Sequence, residues 1–135
     1  MENLLENNVE GKIGTQKYLC TIFWRNGKLL MDEPESIGGN DLGPDPFSTF
    51  LASLAGCTLS TLRMYIDRKG WDIPEINISL NLAQELNPEL ETSISRTITF
   101  STNTSDEQRE RLLLIADKCP ISKLLKGNIT INTTL

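Results

Sequence analysis

Cys20, Cys57 and Cys119 are the residues of this chain with the most chemistry to offer, and they offer it without histidine, of which there is none. That absence removes the Ser-His and Cys-His arrangements in which an imidazole activates a nucleophile. The cysteines form no Cys-x-x-Cys pair, so zinc would have to be gathered from isolated ligands. No metal and no cofactor is therefore expected. What stays open is thiol chemistry, supported by carboxylates, Arg, Lys and backbone dipoles. The opening MENLLENNVEG lacks a basic region followed by an apolar one, as a secretory leader would need. A cytoplasmic protein with free thiols is expected, and not a disulfide framework.

The element that must position Cys57 runs from Gly43 to Gly70 and reads as one long helix. Asp45 suits the N-cap and Pro46 the first helical position. Phe47, Phe50, Leu51, Leu54, Leu62, Tyr65 and Ile66 recur at helical spacing. Arg68 and Lys69 favour the negative end of the helix dipole, and Gly70 suits the stop. Ala52, Ser53, Ala55, Gly56 and Ser60 are all small, and Gly56 costs about 1 kcal/mol against alanine. A close partner is expected there to offset that cost. At roughly 35 Å the helix would match the diameter of a small domain. It is apolar on more than one side, so a homodimer is predicted in which it meets its symmetry mate.

The remaining elements alternate around that helix. Residues 1–14 read as a flexible tail or a weakly paired edge strand, and residues 15–135 as a single domain. Lys17 to Arg25 forms a strand containing Cys20, read as a small buried hydrophobe. Asn26-Gly27 turns it back into Lys28 to Asp32. Glu33 to Pro46 is loop. Glu75 to Leu82 and Thr92 to Thr102 alternate as half-buried strands, the second with Ile94, Ile98 and Phe100 inward. Ser105 and Gln108 fit a capping box that opens a second helix, with Leu112, Leu113, Ile115 and Ala116 on its buried side. That helix is expected to stop at Cys119, before Pro120. A short turn, Ile121 to Lys126, and a last strand, Asn128 to Leu135, complete the order β-β-α-β-β-α-β. The class is α+β.

Charge excludes some functions. With 13 Lys and Arg scattered against 18 Asp and Glu, the net charge is −5, and no basic patch for nucleic acid is expected. Phe47 to Ile66 carries Arg63 and several hydroxyls, too polar for a membrane span.

With both helices placed, GPDPFSTFLASLAGC and DEQRERLLLIADKCPISKLL resemble the cysteine helices of the OsmC/Ohr family of osmotically induced and organic-hydroperoxide-resistance proteins. The RKGW exit and the NITINTTL segment fit as well. The resemblance implies an intertwined α+β homodimer with active sites at the subunit interface. It further implies that Cys57 is the peroxidatic thiol and Cys119 the resolving thiol, joined in a disulfide during turnover and restored by a dithiol or redox protein. Phe47, Phe50, Leu54 and Trp24 would line an apolar pocket for hydroperoxides with a hydrocarbon tail.

The chain departs from the family's pattern at one point. Active hydroperoxidases of that family carry a glutamate after the proline of the first motif, where this chain has Phe47. The arginine that pairs with that glutamate has no counterpart near Ile37 and Gly38. Arg25, Lys17 and Arg63 are the candidate replacement cations. Two functions follow: reduction of organic hydroperoxides by Cys57 and Cys119, or binding of a small apolar ligand by the dimer without turnover.

Overall fold

Asp45 opens the central helix, α1 (Pro46–Lys69), in the computed structural model, which describes residues 1–135. Its Oδ2 accepts from Phe47 N at 3.1 Å and Ser48 N at 3.3 Å, meeting donors that a helix start leaves free. Gly70 closes the helix at a φ of 67°, left-handed backbone that glycine adopts without a steric penalty. There Gly70 N donates to Asp67 O at 3.1 Å and Trp71 N to Ile66 O at 3.2 Å, the paired bonds of a Schellman stop.

The chain divides into two compact units, Met1–Phe50 and Leu51–Leu135, with the boundary inside α1. In the first, β1 (Glu10–Ile13), β2 (Cys20–Trp24) and β3 (Gly27–Met31) form an antiparallel meander, with Cys20 opposite Met31 and Ile13. The turn falls on Arg25 and Asn26, one residue earlier than the Asn-Gly signal indicates, and Gly27 pairs with Trp24. A side chain at Gly27 would meet the Trp24 indole at 2.6 Å, so the glycine serves close packing inside the strand.

The loop after β3 is organised by Asp32, which is 2% exposed. Its carboxylate accepts from Glu33 N at 2.8 Å, Tyr18 N at 3.1 Å, and Asn40 N and Leu42 N at 3.2 Å each. Burial acts to raise this carboxyl's pKa, but the four N–H donors outweigh it and hold the group below the ordinary carboxylate value.

The second unit contains a two-stranded hairpin, β4 (Ile76–Leu86) with β5 (Leu90–Phe100), and the helices α2 (Asp106–Ala116) and α3 (Pro120–Lys126). Ser105 caps α2 in the expected box, with Gln108 N donating to Ser105 Oγ at 3.1 Å and Ser105 N to Gln108 Oε1 at 3.0 Å. Leu62, Tyr65 and Ile66 of α1 pack with Ile73 and with Leu112, Ile115 and Ala116 of α2 to make the core. Ile98 and Phe100 lie against it.

Some expectations are corrected. Asn128–Leu135 forms no strand, because no strand of the chain pairs with it; Ile129 and Ile131 are 57% and 85% exposed. The second helix ends at Ala116, before Cys119. Leu113 points outward at 69% exposure, since the α2 stripe that meets α1 takes Leu112, Ile115 and Ala116. Phe47 and Phe50 are also exposed, and the buried stripe of α1 is Leu54, Thr58, Leu62, Tyr65 and Ile66. No helix is long and apolar enough to cross a membrane.

Candidate active site

Cys119 caps α3. Its extended backbone, with ψ at 128°, is what the following proline favours, and Pro120 then takes the first helical position. Cys57, in the fourth turn of α1, lies close enough to Cys119 that each sulfur shifts the other's acidity. The two thiols come from distant sequence and share one site; both are free, with Cys57 half-buried and Cys119 buried.

Their environments push them apart. Burial raises the Cys57 thiol, and the Cys119 sulfur raises it further, against the Ile121 N–H and the Thr61 hydroxyl. Burial also acts to raise Cys119, but the hydrogen bond from Cys57, the N–H and hydroxyl of Ser122 and the Ile121 N–H outweigh it. The net direction at Cys119 is down. The two thiols are thus shifted in opposite directions, Cys57 up and Cys119 down.

A polar network surrounds the pair. Arg96 of β5 donates from Nη1 to Thr58 Oγ1 at 2.9 Å and Ser122 Oγ at 2.8 Å, and from Nη2 to Asp117 Oδ1 at 3.0 Å. Asp117 also receives Lys126 Nζ at 3.0 Å. The hydrogen bond from Lys126 is the main cause that holds the Asp117 carboxyl below its ordinary range, and Arg96 adds to it against some burial. Beside Arg96 opens a cavity of about 530 Å³, lined by Leu54, Ile94, Ile98, Ser122 and Leu125 among others.

The residues singled out in the sequence are thus distributed unevenly. Cys57 and Cys119 are brought together. Leu54 lines the Arg96 cavity, Phe47 lines a cleft with Tyr18, Pro34 and Ile37, and Trp24 lies in a polar groove with Glu10 and Arg25. Arg63 is committed elsewhere: it donates to Ile73 O at 2.8 Å and Pro74 O at 3.2 Å and pairs with Asp67 at 3.2 Å. Arg25 and Lys17 are exposed residues of the N-terminal unit. Cys20 sits in β2, where its Sγ donates to Tyr18 O at 3.6 Å. No cluster of three or more His, Cys, Asp or Glu side chains could hold a metal ion.

Comparison with known proteins assigns the family. The family model described as OsmC-like protein matches residues 38–134, well over half of the chain. The chain belongs to the OsmC family. No curated protein sequence matches this OsmC-family chain. Solved structures share its fold at low identity. One is an OsmC-like protein from Mycoplasma pneumoniae, with 18% identity and a TM-score of 0.71, covering 94% of this chain and 90% of that one. Another is the organic hydroperoxide resistance protein OsmC from Legionella pneumophila, with 18% identity and a TM-score of 0.68, covering 91% and 92%. A third is the organic hydroperoxide resistance protein OhrB of Bacillus subtilis, with 17% identity and a TM-score of 0.66, covering 90% and 93%. The mixed α+β fold expected for this family is the one this chain adopts.

Sequence reasoning missed Arg96 and its partners Thr58, Ser122 and Asp117 in this OsmC-family chain. A signal existed. Arg96 has the parity of Ile94, Ile98 and Phe100, so strand alternation alone puts a cation on the inward face of β5.

Proposed function

We propose that this protein reduces organic hydroperoxides with the Cys57 and Cys119 pair, Cys57 as the peroxidatic thiol and Cys119 as the resolving one. The observation that carries this reading is that Cys57 of α1 and Cys119, at the start of α3, lie close enough for each sulfur to shift the other's acidity. The Cys119 thiolate takes the proton of Cys57, and the Cys57 thiolate attacks the terminal oxygen of the hydroperoxide. The O–O bond breaks, and the leaving alkoxide takes the proton back from Cys119 and departs as the alcohol. Cys57 is left as a sulfenic acid, oxidised by two electrons. The Cys119 thiolate then attacks the Cys57 sulfur; hydroxide leaves and is protonated to water, and a disulfide forms. A dithiol or a redox protein restores both thiols by exchange.

The reading includes a homodimer, with residues 15–135 acting as one domain in the cytoplasm. Gly56 supports the dimer: it is exposed, and a Cβ built on it meets nothing within 4 Å in the single chain. The small-residue face of α1 is thus free for a second copy. Phe47 and Phe50, both exposed, would give the dimer apolar surface for the hydrocarbon part of the substrate.

The test is intact mass and peptide mapping after adding an equimolar aryl hydroperoxide to the reduced protein. A Cys57–Cys119 disulfide forming within seconds, and abolished by Cys57→Ser, is expected. Unmodified cysteines in folded protein would overturn the reading. They would leave the second one, a dimer that binds an apolar ligand without turnover. The raised Cys57 thiol and the Phe47 side chain in place of a carboxylate favour that alternative.

A further inference from the structure

Tyr65, which is 8% exposed, gathers three cations around one ring. Arg68 and Lys69, in the last turn of α1, stand 5.9 Å and 5.7 Å from its centroid, and Arg111 of α2 stands at 5.7 Å. The dipole of α1 favours Arg68 and Lys69 at its end, but Arg111 lies inside α2, away from either terminus. Arg111 Nε donates to Tyr65 Oη at 2.9 Å, which fixes the guanidinium and leaves both Nη groups without a hydrogen-bond partner in the chain. None of the three cations belongs to the ion pairs of the chain, which are Arg63–Asp67, Arg96–Asp117 and Lys126–Asp117. Burial acts to raise the Tyr65 phenol, but Arg111 and Lys69 outweigh it and hold the group below its ordinary value. Beside these cations opens a cleft of about 610 Å³, lined by Tyr65, Lys69, Trp71, Arg111 and Leu114 among others. That volume is in the range of small-molecule sites. Glu107 and Glu110 line it too, and neither comes within ion-pair distance of a cation.

We propose that this cleft binds a small organic acid, its oxyanion held by Arg111 and Lys69 and its apolar or aromatic body against Trp71 and Leu114. The unengaged Nη edge of Arg111 offers two parallel donors, the geometry that a carboxylate or a phosphate accepts in bidentate fashion. Lys69 adds a point charge beside it. Trp71, which meets the Tyr65 ring edge-on at 5.6 Å, presents apolar surface to the rest of the ligand. Glu107 and Glu110 repel a second acid group, so the ligand carries one. The site is separate from the thiols: Tyr65 follows Cys57 by eight residues on α1, which is roughly 12 Å along the axis. Binding here needs no redox step and does not depend on the peroxidase reading.

The test uses the reduced full chain carrying Trp24→Phe, in which Trp71 is the single tryptophan and its fluorescence reads the cleft. The protein is titrated with 4-phenylbutyrate, with phenyl phosphate and with the neutral 4-phenylbutyramide. A saturable change with the acids is expected, with the amide binding roughly tenfold more weakly because it lacks the charge-assisted hydrogen bonds. Saturation by either acid supports the site, and the tighter of the two identifies the head group. Arg111→Met is expected to weaken acid binding by a similar factor and Lys69→Met severalfold, with Arg111→Lys recovering part of the loss and amide binding unchanged in all three. Equal binding of acid and amide, acid binding indifferent to both methionine variants, or no saturable response in folded protein would overturn the proposal. Where Arg111→Met does not fold, Lys69→Met decides, since Lys69 is exposed. No hydroperoxide is involved, so a protein that binds the acids but resists hydroperoxide loses the peroxidase reading and keeps this site.

Discussion

Arg96 Nη1 donates to Thr58 Oγ1 at 2.9 Å, so β5 is tied to the residue that follows Cys57 on α1. Thr58 is fully buried. Thr58→Val keeps the shape of the side chain and removes the acceptor, leaving Nη1 with Ser122 as its remaining partner there. A loss of about 1–3 kcal/mol in stability is expected, the usual cost of leaving a buried polar group partly unmet. Urea unfolding of the two proteins measures it; an unchanged midpoint would mean that the contact adds nothing to the fold.

Cys57 should alkylate sluggishly at neutral pH. Burial favours its neutral form and the neighbouring sulfur adds to this, so the rate should rise only as pH climbs past the ordinary thiol value of 9.0. Cys119→Ser removes the neighbouring negative charge and is expected to move the Cys57 midpoint down. Iodoacetamide labelling read by peptide mapping checks both directions.

Asp32 makes the N-terminal unit sensitive to acid. Its folded carboxyl titrates below the ordinary value of 3.8, so its stabilisation is complete above that value and is lost as pH falls through the folded one. Asp32→Asn presents an amide to N–H groups that need an acceptor. Faster hydrogen exchange at Tyr18, Asn40 and Leu42 is expected for the variant at neutral pH, and for the native chain only in acid. Equal protection in both proteins would count against Asp32 as the anchor of the loop.

Substitution at Gly56 tests the proposed dimer, because a Cβ there meets nothing in the single chain. In an isolated chain Gly56→Ala should stabilise α1 by about 1 kcal/mol, through helix propensity alone. Against a second copy, Gly56→Leu is expected to push the helices apart and lower the molecular mass in sedimentation from dimer to monomer. A dimer indifferent to Gly56→Leu would move the interface away from this face.

Much of the molecule is written locally, and the sequence alone determines that part. Asp45, Ser105 with Gln108, and Gly70 each fix a helix end through bonds to residues a few positions away, which holds in any surroundings. The alternation of β4 and β5 is equally local, and the two cysteine motifs point to the family without any tertiary contact. The failures are where a partner was needed. Asn128–Leu135 has the pattern of a strand but no edge beside it, and Phe47 and Leu113 have helical spacing but fall off the stripes that meet. Arg63 and Arg96 are both single arginines in sequence. Only the tertiary structure decided that Arg63 is bound to Ile73 O and Pro74 O while Arg96 reaches Thr58 and Ser122 beside the thiols. The physical reason is that propensity, capping and alternation act over a few residues, whereas a hydrogen bond between side chains distant in sequence depends on how helices and strands pack.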